Sequence, residues 1–410
     1  MSTTASLSLL VTLTGLFTFA ACGGGAPAPA EPTSVDHAAP ETAGAEDPSA
    51  PQPPNDRAPT PMATGSAAPP LPSASGRAPR QFGMLTEQQL VTPLSRVASP
   101  LPVVATTEDY ARWRVRRQIR VGTSHLSFAE RSLDERHVVA MGYDQKVRTY
   151  DITNGKLVAT TQLAANLHPL GLWPDGTAPY GALLAVGGEH RNAHFIDLNG
   201  EARGELAGPG ASDLRWTRDM KIAGLTTARV PAQTGNLHFV NDDGETLLRL
   251  ESRERIEDWA LSGDGQRLSV TYYPSDTVEV IDLEAGRVLF SHAVPKYTNS
   301  IDLSPDGRFL AVAGAEVWVF PLASPTEVQT YKGLKNNAHR VRFSPSGDAL
   351  VVSSYDGHAR VLKLGSSSEL QLVKALRHAG TANVYAAEFS PDGTTLLTSS
   401  GDQTLILWGK

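Results

Sequence analysis

One cysteine, Cys22, occurs in 410 residues, so no disulfide can form within the chain. Whatever folds must be held by its apolar core alone. Basic residues are too few to dominate: 36 Lys and Arg against 43 Asp and Glu give a net charge of -7, which argues against a nucleic-acid binder. The longest apolar stretch, Leu9 to Ala21, falls short of the roughly 20 residues that span a bilayer as a helix. The sequence contains no Gly-x-Ser-x-Gly elbow, no His-Glu-x-x-His and no glycine-rich phosphate loop. His190 and His194 stand four apart, but in a loop-and-strand context with no third ligand, so no metal or cofactor is expected.

Composition divides the chain. Residues 23 to about 100 are mainly Pro, Ala, Ser, Thr and Gly, with too little apolar surface to offset the entropy of ordering. A disordered linker is expected over 22–109, with a typical reach of about 50 Å as a flexible coil. Within it, Thr86-Glu87-Gln88-Gln89 has capping-box spacing, which predicts a brief helix ended by Pro93. The apolar stretch ahead of the linker ends in Phe19-Ala20-Ala21-Cys22 and continues as Gly23-Gly24-Gly25. This resembles the lipobox of bacterial lipoproteins, with Phe19 where Leu is usual and no Lys or Arg in residues 1–8. The resemblance implies a signal peptide over 1–21 and lipidation of Cys22. It also implies attachment to the cell envelope, at the outer membrane, with the lipid as the only membrane contact.

What remains is a repeat. Ser304-Pro305-Asp306-Gly307 and Ser390-Pro391-Asp392-Gly393 are the clearest copies of one turn, and five looser copies start at Ser132, Trp173, Thr217, Ser262 and Ser344. Their spacing of 40 to 46 residues, with several short strands per unit, predicts four-stranded propeller blades. Each turn precedes an apolar run suited to a strand buried on both faces, such as Phe309-Leu310-Ala311-Val312. Tight turns such as Asn154-Gly155 then lead to outer strands. The seventh unit stops after its third strand, Thr404 to Trp408. Arg112 to Val121 alternates with period two, which predicts that it closes the ring as the missing outer strand. Trp113, Val115, Ile119 and Val121 are expected on one face, and the arginines in solvent, where they would block edge-to-edge pairing.

Over 110–410 the chain resembles the WD40 family, most clearly in Phe389-Ser390-Pro391-Asp392-Gly393, Gly401-Asp402 and Trp408. A literal Trp-Asp pair never occurs. The Gly-His that precedes the inner strand in strong members is not found, since Gly357-His358 falls in a turn. The resemblance implies an all-β fold: a seven-bladed WD40-type β-propeller, its ring closed by an N-terminal outer strand and preceded by the linker. It gives Asp402 and Trp408, and Asp144 with Tyr150, structural roles, and places partner binding on the narrow top face. The residue five before each turn is then expected on that face: Ser127, His168, Ser212, Glu257, Asn299, His339 and Tyr385. The loops between second and third strands add Tyr143, Arg191, Arg229, Tyr272, Tyr273 and Tyr355. The loop of Thr226 to Gly235, the longest, is expected to carry specificity. The function implied is that of a monomeric, non-catalytic scaffold for a protein or peptide partner. The alternative is a propeller enzyme of lactonase or quinoprotein type, with its ligand in the central channel.

Overall fold

A computed structural model describes residues 12–13, 79–99, 109–122, 126–132, 134–164, 167–175, 177–187, 193–206, 213–217, 220–229, 234–295, 298–380 and 382–410. Cys22 and most of the apolar stretch Leu9 to Ala21 lie outside the described residues, apart from the pairing of Thr12 and Leu13 with Leu172 and Gly171. The described residues are nearly all strand, with three 3-10 turns and no α-helix among them.

Seven antiparallel sheets follow one another along the chain, so the fold is a seven-bladed β-propeller. Blade one runs from the channel outward through Leu126–Arg131, His137–Gly142, Lys146–Asp151 and Leu157–Gln162. The others repeat this order, with inner strands His168–Pro174, Asp213–Trp216, Arg255–Leu261, Ser300–Leu303, Ala338–Phe343 and Val384–Phe389. Alternation along each second strand explains the doubly apolar runs. Val138 and Ala140 pack toward blade seven, while Val139 and Met141 pack toward blade two. The buried apolar residues accordingly form seven clusters, each between neighbouring blades.

The repeated turn has a local cause. Ser304 Oγ accepts from Phe309 N–H at 2.9 Å and donates to Asp306 at 2.7 Å, and Gly307 takes φ +66°. That left-handed position favours glycine. In the degenerate turns of blades one and three it is held by Glu135 (φ 56°) and Met220 (φ 59°), which is why the sequence motif is hard to see there.

Arg114–Arg120 pairs with Thr404–Gly409 and completes blade seven, as expected. The single apolar face does not survive. A bulge where Arg117 pairs with Leu407 and Val115 with Trp408 leaves Arg116 unopposed and inverts the alternation. Trp113 therefore packs toward blade six, Ile119 and Val121 toward blade one, and Val115 is 47% exposed.

Two expectations for the linker need correction. Leu85–Leu90 is not a helix but a strand, hydrogen-bonded to the outer strand Thr246–Ser252 of blade three and to the short strand Gln81–Phe82. The capping-box pattern is a local preference, and long-range edge pairing overrides it. The folded region thus includes residues 79–99, inside the span expected to be linker. This strap buries Phe82, Leu85 and Leu94 in the cluster between blades three and four, worth about 1.5–3 kcal/mol for each large side chain. Glu279 Oε2 accepts from Met84 N–H at 3.0 Å and from the Tyr272 hydroxyl at 3.1 Å. Gly83 (φ +61°) lies so close that a Cβ there would sit 2.2 Å from the Glu279 carboxylate. Arg80 closes the strap through Glu87 (2.6 Å) and the carbonyls of Leu283 and Glu284 (both 3.1 Å).

Candidate interaction surface

The inner strand of each blade has one edge facing the channel, where its backbone groups lack a strand partner. Side chains of the preceding blade supply several. Glu130 accepts from Leu172 N–H (3.3 Å), Asp258 from Ile301 N–H (2.9 Å) and Asp302 from Phe343 N–H (2.7 Å). Arg215 holds both the Trp259 carbonyl and the Asp258 carboxylate, and Arg342 reaches the Ile301 carbonyl at 3.2 Å. These groups tie consecutive blades together. Among the seven ring positions read from the sequence, Glu257 was the one acid, so sequence reasoning did not find these groups. The signal it passed over is the residue two before the turn, which is Glu130, Arg215, Asp302, Arg342 and Glu388 in five blades. Among the described residues no three His, Cys, Asp or Glu side chains gather as a metal site would need.

At the top of the ring, the positions chosen by their offset from the turn have a common geometry in four blades. The ladder between first and second strands skips Ser127, Glu257, His339 and Tyr385, each standing between two paired neighbours. A bulged residue leaves the ladder and is re-aimed. In blades six and seven this brings aromatic rings together. His339 meets Tyr355 edge-on at 5.2 Å between centroids and Tyr385 at 5.7 Å. Tyr143, in blade one, is 51% exposed at the same end. Burial, then the neighbouring Tyr385, raises its phenol pKa. The same two causes push Tyr355 up to about 12. The result is an aromatic platform across blades six, seven and one, with Tyr143 exposed at its blade-one end.

The other expected positions are used differently. Glu257 pairs with Arg255 at 2.6 Å, and Asn299 donates to the Ala338 carbonyl at 2.7 Å, another tie between blades. His168 opens the inner strand of blade two, whose bulge falls at Leu170 instead. Ser127 and Arg229 stand in strands but their side chains are not described, and Ser212, His190 and Arg191 lie outside the described residues. His194 sits 3.6 Å from Glu205. Tyr272 is buried against Glu279, which leaves Tyr273 as the exposed member of that pair, with Arg255 4.7 Å over its ring. The loop of blade three is mostly a longer hairpin, paired out to Arg229 and Thr234, and not a long irregular insertion.

Burial, followed by the nearby Arg340 guanidinium, pulls the His339 imidazole down to about 3. Its unfolded value is near 6.5, so the unfolded chain binds a proton that the folded one refuses. Stability is therefore intact above pH 6.5 and falls as pH drops toward 3, by about 2 kcal/mol at pH 5 from this residue. Urea midpoints at pH 7 and pH 5 should differ less in His339→Leu than in the parent. Equal differences would show that His339 is not the neutral buried group described.

The remaining named residues make contacts within blades one and seven. Arg148 Nη1 donates to Asp144 at 3.1 Å, and Tyr150 is buried. Asp402 accepts from Thr404 N–H (2.9 Å), Thr404 Oγ1 (2.6 Å) and Ala379 N–H (2.9 Å). Burial would raise its carboxyl, but hydrogen bonds from His378 and Thr404 outweigh that and hold it at about 2. Trp408 Nε1 donates to Thr398 Oγ1 at 2.8 Å, and His378 bridges Thr398 (2.7 Å) and Thr404 (3.0 Å). His378 is thus the histidine sought as Gly-His, present here behind Arg377 and 24 residues before Asp402. The family profile described as "WD domain, G-beta repeat" matches residues 325–362 and 370–409, the second span containing this whole network. The chain carries WD40 repeats.

Among relatives, WD repeat-containing protein 1 of Mus musculus is 37% identical over 248 residues, covering 56% of this chain and 40% of that protein. Actin-interacting protein 1 of Drosophila melanogaster is 31% identical over 150 residues, 32% and 24% of the two chains. The guanine nucleotide-binding protein subunit beta of Solanum tuberosum is 28% identical over 181 residues, 41% and 45%. The chain spans less than half the length of each of these relatives. The matched WD40 repeats begin at the outer strand of one blade and end at the third strand of the next, the same offset by which Arg114–Arg120 closes the ring.

Proposed function

We propose that the protein is a non-catalytic scaffold that docks a protein or peptide partner on the top face of its WD40 propeller. The observation that carries this reading is the platform of Tyr143, His339, Tyr355 and Tyr385, since half-exposed tyrosines around a rigid ring are common binding hot spots. Among the relatives are an actin-interacting protein and a subunit of a guanine nucleotide-binding protein, names that describe association with other proteins. The resemblance of Phe19-Ala20-Ala21-Cys22 to a lipobox supports a lipid on Cys22, with the Pro- and Ala-rich residues that follow as the tether to the bacterial envelope, at the outer membrane. The folded unit acts as a monomer in this reading.

The test is capture from solubilised envelopes with the full chain and with a Tyr143→Ala, Tyr385→Ala variant whose unfolding midpoint is unchanged. Each tyrosine should contribute about 2 kcal/mol, roughly 30-fold in affinity, so the partner recovered by the parent should be lost by the variant. Recovery of the same partner by both would remove the platform from the reading. Mass analysis of the mature chain beside Cys22→Ser checks the anchor separately: a parent without acyl mass overturns it.

A further inference from the structure

The outer strand of blade seven is the most basic stretch of a chain whose net charge is -7. Arg114, Arg116 and Arg120 are exposed, and no carboxylate pairs with them among the described residues. The arginines on either side are engaged: Arg112 with Asp109 at 3.0 Å, and Arg117 with the Thr153 carbonyl at 2.5 Å. The three uncompensated guanidinium groups are interleaved with aliphatic surface. The bulge at Arg116 turns Val115 outward, and the outer strands on either side expose Leu157 of blade one (53%) and Leu372 of blade six (44%). Edge protection alone explains charge on an outer strand but not three exposed aliphatic side chains on three adjacent ones.

We infer that this rim of blades six, seven and one rests on an anionic phospholipid surface. Guanidinium groups would meet headgroup phosphates while Val115, Leu157 and Leu372 enter the headgroup boundary. Mixed basic and aliphatic character is the chemistry of interfacial binding. Nucleic acid would share the charge, but single strands are held by exposed aromatic stacking, and this rim offers aliphatic side chains between its arginines. The inference is independent of the scaffold reading and of the lipid on Cys22: it concerns the rim, not the top face or the tether.

The full chain carrying Cys22→Ser, which cannot be acylated, is tested by sedimentation with phosphatidylglycerol–phosphatidylcholine vesicles and with phosphatidylcholine alone. Binding should require phosphatidylglycerol, weaken with added salt, and fall roughly five-fold for each arginine removed. The decisive variant is Arg114→Glu, Arg116→Glu, Arg120→Glu, which keeps the edge charged and so preserves protection against strand pairing. It should lose the phosphatidylglycerol-dependent binding while retaining the parent's unfolding midpoint. Undiminished binding by that variant overturns the inference, as does a parent that binds duplex DNA but no vesicle. A variant that unfolds is replaced by Val115→Asn, Leu372→Asn, for which binding equal to the parent's would also overturn it.

Discussion

Thr398→Val should destabilise the propeller by about 2–6 kcal/mol, although valine matches threonine in volume. The reason is a chain of buried hydrogen bonds in blade seven with one consistent direction. Trp408 Nε1 donates to Thr398, the Thr398 hydroxyl donates to His378 Nε2, His378 Nδ1 donates to Thr404, and the Thr404 hydroxyl donates to Asp402. Thr398 is fully buried and His378 is 1% exposed, so neither orphaned group could turn to water. Removing one hydroxyl strands both the indole N–H and the imidazole nitrogen, each costing about 1–3 kcal/mol. Urea unfolding should show a lower midpoint at unchanged slope, with Thr398→Ser close to the parent. A loss under about 1 kcal/mol for valine would mean the network does not run through this hydroxyl. Asp402 ties the same network to pH: with a folded value of about 2 against an unfolded value near 3.9, its contribution is complete above pH 4. That contribution is lost as pH falls through 2.

Trp113→Ala should cost about 3–5 kcal/mol, the range for truncating a large buried aromatic. Trp113 is 1% exposed and meets Tyr110 edge-on at 4.9 Å and Phe389 at 6.1 Å. It lies at the point where the N-terminal strand enters blade seven, so its loss loosens the latch as well as the core. An open ring exposes the edge of Thr404–Gly409, so proteolysis should find residues 109–122 before it finds any other blade. Uniform cleavage across the blades would show that Trp113 is ordinary core rather than a latch.

The two predictions differ in what made them visible. Blade seven could be read from Ser390-Pro391-Asp392-Gly393, Asp402 and Trp408 because the turn demands a left-handed glycine and a serine that caps its own hairpin. His378 could not, because its role depends on a threonine 20 residues away on another strand, and nothing local marks it. Trp113 was legible as part of a closing strand, but its direction was not. Period-two alternation assumes an unbroken ladder, and the bulge at Arg116 inverts it.

The same division holds across the molecule. Blade number, strand order and ring closure follow from the spacing of turns and from doubly apolar runs, since short-range chemistry dictates each of them. Four platform positions, Tyr143, His339, Tyr355 and Tyr385, were also picked out by their place in the repeat, whereas Val115 was expected on the apolar face. Their convergence or exposure was decided by the ring and its bulges. The strap shows the limit most plainly: Thr86 to Gln89 reads as a helix start in isolation, and becomes a strand because blade three offers an unpaired edge and Glu279 a buried acceptor. Backbone groups must be paired wherever they are buried, and which partner is available is a property of the assembled ring, not of any segment in it.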